Sequence, residues 1–171
     1  MAHQIYFEDV EVGTEIGPLE KNPTTQQLVK YAGASGDFYQ IHYDKDFALA
    51  NKLPGVILHG ALKNGFLGQL MTDFAGPEGW LRKLSVQYRG MDQPGAKVVC
   101  RGKVVKKYHD KDQHLVDCEI WLENAKGEKT TPGSAIWAIS VPPLTMLTMP
   151  VLRISSRPVF VPSDSTISPP P

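Results

Sequence analysis

Between Gly60 and Phe74 the apolar residues Leu62, Phe66, Leu67, Leu70, Met71 and Phe74 recur at i, i+3, i+4 spacing, which predicts the best helix of the chain. Such a helix is about 22 Å long at 1.5 Å per residue. Ala61, Gly65 and Gly68 give it small positions, suited to close packing against a sheet or a bound ligand. After Gly76-Pro77-Glu78-Gly79 the period changes from helical to alternating. Strands are expected at Trp80 to Tyr88, Lys97 to Lys107, Gln113 to Glu123 and Lys129 to Val141. In the third, Val116, Cys118, Ile120 and Leu122 share one face, while Asp117, Glu119 and Glu123 lie mostly on the other; this is the signature of a half-buried antiparallel strand. Turns are expected at Asp92 to Gly95, His109 to Asp112 and Asn124 to Gly127.

Before the long helix the signals are shorter. Gly13, Gly17 and Pro18 suggest an extended arm with a short strand around Thr14 to Ile16. Thr24-Thr25-Gln26-Gln27 has the form of a capping box after Pro23; Leu28, Tyr31 and Ala32 share a helical face, and Gly33 and Gly36 end the element. Asp44 is placed to cap a short helix containing Phe47, Ala48 and Ala50. Helices followed by a meander of long strands give an α+β domain with one helix packed on a sheet face. The domain is expected over residues 1–141. Residues 142–171, rich in proline, serine and threonine, read as an extended or poorly ordered tail.

Composition narrows the function classes. The 171 residues suffice for one domain, and 42% hydrophobic with 21% charged residues is ordinary for a globular protein. Eighteen basic and eighteen acidic residues cancel, and the basic run Arg101 to Lys107 lacks interleaved aromatics, so nucleic acid is not the expected partner. Nor is a membrane: polar Lys63, Asn64, Gln69 and Asp73 interrupt the longest apolar stretch. With no signal-like N-terminus, the cytoplasm is the expected compartment, and Cys100 and Cys118 read as reduced packing residues.

The chemistry gathers in Gly36-Asp37-Phe38-Tyr39-Gln40-Ile41-His42, just past a helix end. A carboxylate and an imidazole five residues apart are the groups needed for acid/base work on a bound water. Spacing alone leaves Asp37 readable as a turn residue and His42 as a packed loop imidazole. The cluster His109, Asp110, Asp112 and His114 could suggest a metal, but straddling a charged turn it reads better as a solvated loop. Trp80, Trp121 and Trp137 read as core or interface residues.

Two motifs carry a resemblance. Ala34-Ser35-Gly36-Asp37-x-x-x-Ile41-His42-x-Asp44, followed by Pro54-Gly55-Val56-Ile57-Leu58-His59-Gly60, resembles the MaoC-like dehydratases, the (R)-specific enoyl-CoA hydratases with the hotdog fold. The likeness runs from about Phe7 to Val141 and implies an antiparallel sheet wrapped around a long central helix. It implies a catalytic dyad of Asp37 and His42, with Gly60 at an oxyanion site at the start of the helix. His59 would either orient that helix start or touch substrate. Asn64 would face the ligand or satisfy a nearby backbone group, and Tyr39 would shape the acyl site. Tyr39-Gln40 stands where the family commonly has Asn-Pro, and Gly68 where some relatives have serine; these departures resemble a branch that acts with partner subunits. The resemblance implies hydration of trans-2-enoyl thioesters, or the reverse dehydration, with CoA or acyl carrier protein belonging to the substrate. No metal or other cofactor is expected, and the implied assembly is a homodimer or a heterodimer with a second hotdog subunit. A thioesterase of the same fold, and a non-catalytic subunit of a heteromeric dehydratase, are the alternatives.

Overall fold

The computed structural model describes residues 4–139. The proposed limit at residue 141 and the tail beyond it lie outside the described residues. A 3-10 turn at Phe7–Asp9 leads into strand β1 (Glu15–Lys21), then helix α1 (Thr25–Ser35), a second 3-10 turn (Gln40–His42), α2 (Lys45–Ala50) and α3 (Gly60–Ala75). Four further strands follow: β2 (Trp80–Val86), β3 (Val98–Asp110), β4 (Gln113–Glu123) and β5 (Lys129–Ala138). They form one five-stranded sheet in the order β1-β3-β4-β5-β2, antiparallel at every pairing. This is the α+β hotdog architecture, with α3 laid across β1 to β4.

The alternation in β4 decides which sheet face is buried. Val116, Cys118, Ile120 and Leu122 are all buried and meet Val98, Cys100 and Val104 of β3 and Ala135 and Trp137 of β5. From α3, Leu62, Phe66, Leu67, Leu70 and Met71 complete the core. The outer face is solvated and laced with charge: Arg101 pairs with Glu123 and Lys129 with Glu119. Trp121 lies on this outer face and not in the core: its ring carries Lys129 Nζ at 3.8 Å and its Nε1 donates to Glu123.

Several boundaries differ from the sequence expectation. The first strand runs past Ile16 to Lys21, with a register break between Ile16 and Leu19 where Pro18 has no N–H to donate. The turn expected at His109 to Asp112 shrinks to Lys111 and Asp112, because His109 and Asp110 are paired with His114 and Gln113. Charged residues at an exposed strand end look like loop in sequence, yet the ladder continues through them. Both histidine rings pack edge-on against Phe7, each 4.9 Å away, while His109, Asp110 and Asp112 stay exposed, so the cluster is a solvated strand end and tight turn and not a longer loop.

Candidate active site

The loop that carries Asp37 is set by how α1 ends. Thr24 Oγ1 accepts from Gln27 N–H at its start, and Gly36, at φ 74°, adopts the left-handed conformation that closes its last turn onto Ala32. The chain turns sharply there and delivers Asp37 to the surface. The Ser35 hydroxyl accepts from Asp37 N–H, and Asp37 Oδ1 accepts from Tyr39 N–H, both at 3.3 Å. One carboxylate oxygen is thereby occupied by its own loop. The other, Oδ2, stands 3.9 Å from His42 Nε2.

His42 is held more firmly. Its Nδ1 lies 2.8 Å from the Ile57 carbonyl oxygen, which can only accept, so Nδ1 carries the proton. In the neutral ring Nε2 then presents a lone pair toward Asp37. Ile57 N–H donates back to the Ile41 carbonyl, clamping residues 41–42 to the strand-like segment before α3. Asp44 caps α2 through Phe47 N–H and steadies the loop from the other side. At 3.9 Å the pair is too far for a direct hydrogen bond, but a water about 2.8 Å from both atoms fits between two acceptors.

His59 is fully buried at the cap of α3. Its ring stacks on His42 with centroids 3.8 Å apart, and its Nε2 is 3.3 Å from the Asp37 carbonyl oxygen. Burial, and next the neighbouring His42, hold its pKa below the ordinary 6.5. A neutral His59 with its proton on Nε2 props up the Asp37 loop; its buried Nδ1 has no partner among the described residues. Asp37, His42 and His59 each bring a ligand-type atom within 4.8 Å of the others. The two rings are only 21° from parallel, so their in-plane lone pairs run side by side and do not converge on one ion.

A cavity of about 230 Å³ opens beside His42, lined also by Ile57, Leu58, Gly60, Lys63 and Tyr88. A Cβ on Gly60 would stand 2.8 Å from the Tyr88 ring, so a larger residue there would displace that ring from the cavity wall. Gly60, the first residue of α3, lines this cavity, and the first N–H groups of a helix lack intrahelical partners and carry the positive end of its dipole.

The structure thus gathers Asp37, His42, His59 and Gly60, of which His42 and Gly60 line the cavity while Asp37 and His59 adjoin it through His42. Tyr39 is exposed and touches His42 edge-on at 6.4 Å, outside the cavity wall. Asn64 does not line the cavity either; its Oδ1 is buried without a partner among the described residues. Sequence reasoning passed over Lys63 and Asp92, a buried ion pair at 2.9 Å beside the site. A lysine inside an apolar helical stripe was the available signal, and it was read only as a bar to membrane insertion.

Among solved structures the fold is similar to the (R)-hydratase from A. caviae involved in PHA biosynthesis, at 20% identity and a TM-score of 0.70 over 79% of this chain and 99% of that one. It is similar also to R-hydratase PhaJ1 from Pseudomonas aeruginosa, at 18% identity and a TM-score of 0.74 over 81% of this chain and 88% of that one. A third likeness is to the ChsH1-ChsH2 complex from Mycobacterium tuberculosis, at 20% identity and a TM-score of 0.68 over 75% of this chain and 98% of that one. None of the curated proteins matches. The model of the MaoC-like domain matches residues 9–122, two thirds of the sequence and the whole of the site just described, so the chain belongs to the MaoC-like domain family.

Proposed function

We propose that this protein adds water across the double bond of a trans-2-enoyl thioester to give the (R)-3-hydroxyacyl thioester, or runs the reverse dehydration. The observation that carries the reading is the approach of Asp37 Oδ2 to His42 Nε2, 3.9 Å apart, with His42 lining a cavity that it shares with Gly60. Both atoms accept hydrogen bonds, so a water between them is held by its two protons with its oxygen lone pairs free. In the forward direction that oxygen bonds to C3 while one O–H bond breaks toward the pair. The C2–C3 π electrons move to C2 and onto the thioester oxygen, and the pair returns a proton to C2. Positioned proton transfer of this kind contributes ~10²–10⁴-fold. The charge on the thioester oxygen would be met by N–H groups at the start of α3.

The substrate pairing follows from the same geometry. A cavity of about 230 Å³ lies below the usual range for ligand pockets, which favours a short acyl group or a site completed by a second subunit. The second option suits the sheet edges. Both edge strands carry a register break, but β1 adds Pro18, which blunts an edge, whereas β2 carries neither proline nor glycine and the strap that follows it leaves Tyr88 and Met91 of the cavity wall exposed. We therefore assign β2 as the edge along which a second hotdog domain pairs.

Incubation with crotonyl-CoA tests the reaction. Loss of the enoyl absorbance with the thioester intact is the expected result, and Asp37→Asn should lower it by at least ~10²-fold. Release of free thiol would mark a thioesterase instead. Unchanged activity of Asp37→Asn in a reconstituted heteromer would assign the chemistry to the partner chain.

A further inference from the structure

Lys63, in the first turn of α3, is 2% exposed, an unusual place for an ammonium group. Its Nζ donates to the Gly90 carbonyl oxygen and to Asp92 Oδ2, each at 2.9 Å. Thr130 Oγ1 donates to the same carboxylate oxygen at 2.8 Å, and Leu58 N–H donates to the Asp92 backbone carbonyl. The knot ties α3, the 88–92 strap, β5 and the segment before His59 into one piece. An ammonium has three N–H groups, and two are spent here. Asp92 Oδ1 is buried with no partner among the described residues. A buried pair of this kind is a poor device for stability, because apolar residues of similar volume commonly do as well.

The pair is asymmetric with respect to the site. Lys63 lines the cavity shared by His42 and Gly60; Asp92 does not, and faces a neighbouring hollow with Gln93, Lys97 and Asn124. The ion pair is therefore a fixed dipole whose positive end meets the reactive cavity. In a dry site such a field acts far more strongly than in water.

We propose that Lys63 is a positioning residue of the reaction, whose ammonium, anchored by Asp92, favours negative charge on the thioester oxygen beside Gly60 and fixes the Gly90 strap that walls the cavity. The inference rests on the enoyl-thioester reading, and two independent readouts separate their failures. The first is turnover of crotonyl-CoA. The second is the near-ultraviolet enolate band of bound acetoacetyl-CoA, which reports anion stabilisation without turnover.

The double variant Lys63→Met, Asp92→Asn removes both charges, keeps the volume, and leaves an amide oxygen to accept from Thr130. It should lower kcat by about ten- to a hundredfold with KM changed less than about threefold, and abolish the enolate band that the wild type induces. Lys63→Arg, which keeps the cation, should retain the band and serves if the double variant does not fold. A folded double variant with wild-type kcat and band overturns the proposal, as does a folded Lys63→Arg without the band. A wild type that induces the band but hydrates nothing would remove the hydratase reading and leave the assignment of Lys63 standing. A wild type that hydrates crotonyl-CoA without inducing the band would do the reverse.

Discussion

At the scale of single residues the site depends on groups kept in one protonation state by burial. His59 is the clearest case. Because the folded protein holds its pKa below 6.5, the unfolded chain binds the proton more readily as pH falls. Stability should therefore be intact above about pH 7 and decline as pH drops through 6.5 toward the lowered value, and His59→Gln should flatten that decline in pH-dependent urea melts. Gly60 acts through space. Gly60→Ala would press a methyl group onto the Tyr88 ring at 2.8 Å, and should lower activity by about tenfold or more with little effect on melting. Burial raises the thiols of Cys100 and Cys118 to about 12, so neither should react with a thiol reagent at neutral pH until the protein unfolds.

At the scale of elements the site is held by α3 and by the strap that follows β2. Leu67, at the centre of α3, is fully buried, and Leu67→Ala should cost about 2–5 kcal/mol in equilibrium unfolding. Gly133 lies in β5 opposite Val86, where a Cβ would meet the Ser85 carbonyl oxygen and stand 2.9 Å from Val86 Cγ1. Gly133→Ala should destabilise by about 1–3 kcal/mol and loosen β2, visible as faster amide exchange in Leu84 to Val86. These elements were legible in the sequence where one face is apolar and the other polar, as in β4 and α3. They were not legible at strand ends such as His109 and Asp110, where both faces are polar and pairing alone keeps the strand going.

At the scale of the whole molecule, one wall of the cavity is the exposed strap of Tyr88 to Met91 that follows edge strand β2. Pairing along that edge should give a sedimenting species of twice 18.9 kDa for this chain alone, or of 18.9 kDa plus the partner's mass with a second hotdog chain. A monomer with full activity would refute the assigned edge. The order of elements, the buried face of the sheet and the loop motif with Asp37 and His42 can be read along the chain, because periodicity and capping are local and leave their mark residue by residue. Folding in three dimensions adds that His59 stacks on His42, that Tyr39 and Asn64 stand outside the cavity wall, and that Lys63 meets Asp92 from 29 positions away. Those contacts join segments far apart in the chain, and their energies depend on desolvation, which no stretch of sequence carries alone.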